Sequence, residues 1–163
     1  MFKFILGTLK KNIFSGKGGL NISLPVYIFN VDSNLQRTCQ GLCLAPYFME
    51  KATKTKDQIE RMKYCIAFLL SNSILYFDVE KPFNPILGET YQGYIGGCPI
   101  YAEQISHHPP ITSFYFIGRG YKMHGNLEAK VKIHMNSGEG VNWGFYNVIF
   151  DDGQKIQFQT PPG

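Results

Sequence analysis

Long apolar runs are missing from this chain of 163 residues. A membrane-spanning helix needs about 20 consecutive apolar residues, and no stretch approaches that. The opening MFKFILGTLKKNIF looks superficially like a signal peptide, but its apolar run is Phe4 to Leu6 only. Lysines follow that run where a small-residue cleavage site would stand. Phe2 stands where myristoylation requires glycine, and the C-terminus carries no prenylation cysteine. The sequence also lacks any block of like charge: 16 Lys and Arg against 12 Asp and Glu leave a net charge of +4. That excludes a nucleic-acid pattern of clustered basic and aromatic residues, yet suits contact with an anionic membrane surface or a phosphorylated ligand. No nucleophile elbow, HExxH or P-loop is present, so a hydrolase built on Glu103 or Glu89 with His107 has no motif behind it. The cysteines Cys39, Cys43, Cys65 and Cys98 form no CxxC pair, and read as reduced, partly buried thiols of a cytosolic protein. No metal site or cofactor is expected.

What is abundant is apolar and aromatic: 44% hydrophobic residues, with 13 Phe and 10 Tyr against one Trp. A chain of this length and composition builds one domain with a real core. Phe2, Ile5, Leu6, Leu9 and Ile13 share one helical face, with Lys3, Lys10 and Lys11 beside or opposite it. Such a short amphipathic helix packs on its own domain or lies in a membrane interface, and a lid does both at different times. The SGKGGL stretch at 15–20 then supplies a hinge. Leu24, Val26, Ile28 and Val31 surround Pro25 in an extended stretch.

Ser33, with Gln36 three residues on, predicts a helix start, and Leu35, Cys39 and Leu42 its buried stripe. A second helix is expected from Asp57 to about Ser71, with Ile59, Met62, Ile66 and Leu69 as its apolar face. From residue 86 the pattern turns to β. Met123, Leu127, Ala129, Val131, Ile133 and Met135 alternate with Lys122, His124, Asn126, Glu128, Lys130, Lys132 and His134, a period of two that makes a strand with one wet face. Further strands are expected near 98–105, 112–117 and 143–150, with an Asp152-Gly153 turn into 154–160. Helices first and antiparallel strands afterwards make an α+β fold.

Two segments stand apart. In Lys81-Pro82-Phe83-Asn84-Pro85-Ile86-Leu87-Gly88-Glu89-Thr90, prolines bracket Asn84 and hold the backbone extended. Lys81 then offers a point charge and Asn84 directional hydrogen bonds to a phosphate, unless Asn84 merely caps its own turn. In Glu103-Gln104-Ile105-Ser106-His107-His108-Pro109-Pro110, a stiff Pro-Pro end displays the imidazoles. Adjacent histidines on an extended chain are expected to point to opposite sides, which argues against joint chelation of a metal. Both rings can donate to phosphate oxygens, and an adjoining anion stabilises their protonated forms.

EQISHHPP closely resembles the EQVSHHPP signature of the oxysterol-binding-protein and related-protein family, with Ile105 in place of valine the one change. KPFNPILGET is similar to the family's lysine-proline signature, and LPVYIF at 24–29, Ser33-Asn34-Leu35-Gln36 and Glu60-Arg61-Met62 resemble its approach to both. The resemblance covers residues 20–163. It implies a non-enzymatic lipid carrier: an antiparallel β-barrel around a lipid tunnel, closed by an N-terminal lid, for which residues 1–19 and the helix face of Phe2, Ile5, Leu6, Leu9 and Ile13 stand here. It implies a cargo of sterol, or phosphatidylserine in some branches, moved between membranes and exchanged against phosphatidylinositol 4-phosphate. The family's head-group ligands fall on Lys81, Asn84, His107 and His108, and Ile28, Phe68, Leu69 and Tyr76 are candidates for the tunnel wall. The implied setting is cytoplasmic and peripheral, at membrane contact sites. The family's chain continues past Gly163, so the later strands and the C-terminal residues that complete the phosphate site are expected to be absent. An incomplete barrel would leave an open sheet edge and apolar surface, and its alternative role is that of a partner-binding or inactive fragment.

Overall fold

The computed structural model describes residues 26, 29–72, 81–133 and 138–159. The lid segment 1–19, the tunnel candidates Ile28 and Tyr76, and His134 lie outside them. The first described strand, β1 (Phe29–Ser33), pairs in parallel with β2 (Lys81–Phe83), and the rings of Phe29 and Phe83 stack 5.0 Å apart across the pair. Ser33 ends β1 and caps helix α1 (Asn34–Gln40), its hydroxyl accepting from the Gln36 amide at 3.4 Å. Leu35, Cys39 and Leu42 are buried as the spacing predicts.

Helix α2 (Ala45–Lys54) adds an element that is not among those expected from the sequence. Pro46 in its first turn, where the missing N–H costs nothing, and the buried line Ala45, Met49 and Ala52 are its signals in retrospect. Helix α3 (Gln58–Ser71) starts where expected, with the Asp57 carboxylate accepting from the Ile59 amide at 2.9 Å. Its buried side corrects the expectation. Ile59, Met62 and Ile66 are exposed, together with Leu70, and Arg61, Cys65 and Phe68 face the core. The reason lies in Arg61, which is 2% exposed and bonded on every side. Its Nε donates to the Ala52 carbonyl at 3.0 Å, Nη2 to the Thr55 carbonyl at 2.6 Å, and Nη1 to Gln154 at 2.5 Å. Nη1 also reaches Asp152 at 2.6 Å, and the guanidinium lies over the Phe150 ring at 4.6 Å. A guanidinium with all three nitrogens hydrogen-bonded and stacked on an aromatic face is stable inside, so the apolar stripe faces out.

Among the described residues the remaining strands form one antiparallel meander, β3 (Thr90–Ile95), β4 (Cys98–His107), β5 (Pro110–Gly118), β6 (Tyr121–Ile133), β7 (Gly138–Phe150) and β8 (Lys155–Gln159), in chain order and not closed into a barrel. The Asp152-Gly153 turn is where it was expected, with Gly153 at a φ of +85°. One face of the sheet carries Cys98, Ile100, Ala102, Phe114, Phe116, Tyr121, Met123, Tyr146, Val148 and Phe150, all buried. The helices lie on that face: Phe68 meets Tyr146 and Phe158 edge-on, at 6.4 and 6.2 Å between ring centres. Arg119, in the turn between β5 and β6, ties α2 down through Glu50 at 3.0 Å. In β6 the face assignment holds where side chains are described: Met123 is buried and Leu127 half-buried, while Lys122 and Asn126 are exposed and His124 half-buried. Cys39, Cys65 and Cys98 are buried and Cys43 exposed, all as free thiols.

Candidate functional site

The two unusual segments meet. Lys81 opens β2 opposite Phe29, and Asn84 follows at the exposed end of that strand, ahead of a buried Pro85. The chain then turns at 86–89, where the Ile86 amide donates to the Glu89 carboxylate at 3.0 Å and the Glu89 amide to the Ile86 carbonyl at 3.1 Å. This turn is sewn to β4 by the Gly88 amide on the Gln104 carbonyl at 2.9 Å and the Gln104 amide on the Glu89 carbonyl at 3.0 Å. The lysine-proline segment is thus anchored three residues before His107 in the histidine segment.

Within β4 the pairing slips. Gln104 faces Thr112, but Ser106 faces Ile111, so Ile105 is the extra residue of a β-bulge. Because cross-strand partners share a face, the bulge moves His107 to the side of Pro110, Thr112 and Gln104. Unbroken alternation would have left it with Glu103 on the outer face. β4 ends at His107, and His108 and a cis-linked Pro109 make the turn into β5, a cis proline fitting such a tight corner. Both histidines are exposed, with ring centres 4.6 Å apart and planes inclined at 68°. The expectation that they point to opposite sides is therefore corrected: it assumed a continuous strand, and here the strand stops between them.

Gln104 holds this corner and was missed in the sequence. It is 2% exposed, its Nε2 donates to the Ser106 carbonyl at 2.7 Å, and its Oε1 accepts from the Thr112 hydroxyl at 2.7 Å. The first bond spans the bulge and the second ties β4 to β5, so one amide fixes the base of the histidine hairpin. Its signal was present: Cys98, Ile100, Ala102 and Gln104 alternate onto the buried face, and a polar side chain in that line needs bonded partners.

The geometry offers two adjacent imidazoles at a hairpin tip, beside a stiff loop that displays an asparagine. This set is made of nitrogen and amide donors and suits an anion with several oxygens. Among the described residues, no group of three or more His, Cys, Asp or Glu is placed to hold a metal ion. No helix among them is long and apolar enough to cross a membrane. Of the tunnel candidates, Phe68 is fully buried in the core between helix and sheet, and Leu69 is half-buried beside it.

Comparison with known proteins agrees with this geometry. The family model described as oxysterol-binding protein matches residues 4–162. The chain is 33% identical over 160 residues to oxysterol-binding protein 9 of Dictyostelium discoideum, covering 96% of this chain and 37% of that one. It is 35% identical over 151 residues to human oxysterol-binding protein-related protein 3, covering 88% and 17% of the two chains. Among solved structures, it resembles the Osh3 ORD of Saccharomyces cerevisiae in complex with PI(4)P, with a TM-score of 0.81, 28% identity, and coverage of 96% and 42%. It also resembles the Osh1 ORD in complex with ergosterol, with a TM-score of 0.76, 26% identity, and coverage of 85% and 34%. The chain therefore spans less than half the length of each of these relatives. The match runs through both signature segments and nearly the whole of this sequence, and the chain belongs to the oxysterol-binding protein family.

Proposed function

We propose that this chain is a lipid-binding module that grips the phosphorylated inositol of phosphatidylinositol 4-phosphate through Lys81, Asn84, His107 and His108. The observation that carries the reading is the pair of backbone hydrogen bonds between the 86–89 turn and Gln104, which joins the lysine-proline loop to the histidine hairpin. A phosphate there meets imidazole donors held by a bulge and a buried amide, so little ordering cost remains on binding. The cargo exchanged against it is a sterol or phosphatidylserine, whose burial is worth about 25 cal/mol per Å² of apolar surface. Residues 1–19 serve as the lid over that cargo, and the module works peripherally on cytoplasmic membranes. Solved relatives bound to PI(4)P, ergosterol and cholesterol support the two ligand classes.

The test is lipid extraction from liposomes by the chain, Lys81→Ala, and His107→Ala with His108→Ala. Both variants are expected to lose phosphatidylinositol 4-phosphate extraction while sterol binding and the circular-dichroism spectrum stay as in the parent. Equal loss of both ligands with an altered spectrum overturns the head-group assignment. A second reading is favoured by the outward stripe Ile59, Met62, Ile66 and Leu70 on α3, exposed by 44 to 68%. Such a surface suits a fragment that binds a polypeptide partner and holds no lipid. A parallel assay on a longer relative separates the two, since a fragment of that kind extracts nothing where the relative extracts both lipids.

A further inference from the structure

The outer face of the sheet carries a second chemical feature, on the side away from the helices. The pairing of β3, β4 and β5 sets Gln92, Tyr101 and Tyr115 in one row across the strands and Thr90, Glu103 and Ser113 in the next. Residues two apart on a strand share a face, so the rows lie side by side. Between them runs a groove of about 240 Å³, and the bulge residue Ile105 also lines it. Tyr101, Tyr115 and Ile105 are 43%, 38% and 46% exposed, which leaves much of their apolar surface open to a ligand.

The charge in this groove is of one sign. Among the described residues, Glu103 is the only charged one lining it, and its carboxylate has no hydrogen-bond or ion-pair partner there. This is a local anionic site on a molecule whose net charge is +4. A carboxylate between tyrosine rings and an isoleucine attracts a cation and repels an anion. One carboxylate with a few hydroxyls is too small a set of hard oxygen ligands for calcium or magnesium, which take about six or more. Aromatic rings favour a soft, weakly hydrated cation, because their negative faces attract its charge and the positively polarised methyl groups that carry it. We propose that this groove binds a quaternary ammonium of the choline type, with Glu103 as counter-ion, Tyr101 and Tyr115 as the aromatic wall and Ile105 contacting the methyl groups. The site is separate from the histidine hairpin, and the proposal does not depend on the phosphoinositide reading.

The cation has two sources, a choline head group in a bilayer and free choline, and the experiment distinguishes them. Tetramethylammonium chloride and choline chloride are titrated into the full chain and followed by NMR, with sodium chloride at matched ionic strength as control. Saturable shifts are expected at Tyr101, Glu103, Ser113 and Tyr115. Glu103→Gln is expected to weaken binding about tenfold, and Tyr115→Leu about fivefold, with unchanged circular-dichroism spectra. Co-sedimentation with phosphatidylcholine vesicles that Glu103→Gln abolishes identifies the lipid head group, and saturable binding of the free cations alone identifies the soluble source. Shifts that sodium chloride reproduces, or equal affinity in Glu103→Gln, overturn the proposal. So does a lysine-rich peptide that binds the groove where tetramethylammonium does not.

Discussion

Gln104 contributes to the site without offering it a charge. Its amide satisfies the Ser106 carbonyl and the Thr112 hydroxyl, at 2.7 Å each, from a side chain that is itself buried. Gln104→Leu keeps the volume but strands both partners, and is expected to cost about 2 kcal/mol in a urea titration. The same variant should move the His107 and His108 resonances while leaving amides of β7 and β8 in place, because the bulge loses its clamp. Undisturbed histidine signals would show that the backbone holds the hairpin unaided. The residue could have been suspected from its buried position in the alternation. Its partners could not, since nothing in local periodicity announces a bulge at Ile105. The same blindness explains the histidine pair. Alternation forecasts opposite sides, and the end of β4 at His107, where the chain turns into β5, brings the rings together.

At the scale of elements, α3 shows how a charged residue can decide which face goes in. Arg61 links α3 to the end of α2 and to the turn between β7 and β8, through two carbonyls, Gln154, Asp152 and the Phe150 ring. Arg61→Ala leaves the carbonyls of Ala52 and Thr55 unpaired and is expected to destabilise the chain by about 3 kcal/mol, read from denaturant unfolding. Arg61→Lys keeps the charge and loses the planar fork, so it should recover only part of that loss. A full recovery would mean that charge alone matters. Asp152 feels the same arrangement: hydrogen bonding from the Gln154 amide and then from Arg61 holds its carboxyl below the usual range. The start of α3 was legible because the Asp57 cap is settled within two residues. Its buried face was not, because hydrophobic spacing counts Ile59, Met62 and Ile66 as core and Arg61 as surface. The arginine's partner Gln154 lies 93 residues away in the chain.

For the whole molecule, stability carries a pH signature from its buried thiols. Burial pushes Cys39 up to about 12 and Cys65 up to about 11, from an ordinary 9.0. Above pH 9 the unfolded chain loses these protons while the folded chain keeps them. This contribution to stability is therefore constant below about 9 and falls as pH rises towards 12. The urea midpoint is expected to drop between pH 8 and pH 10.5, and to drop less in a variant with Cys39→Ala and Cys65→Ala. An equal drop in both proteins would place the effect elsewhere. The sheet that shelters these thiols is, among the described residues, a six-stranded meander with β3 and β8 at its edges, and its class was readable from the order of helix-like and strand-like segments. The Ser33 and Asp57 caps, the Asp152-Gly153 turn and the faces of β6 up to Glu128 were equally readable, because each depends on atoms a few residues apart. The sequence by itself also determined the family, through segments whose residue order is specific. Tertiary structure alone decided that the lysine-proline turn hangs from Gln104, that His107 changes face, and that α3 turns Arg61 inward. Each of these joins polar groups distant along the chain, and burial makes every such group find a partner that no local pattern names.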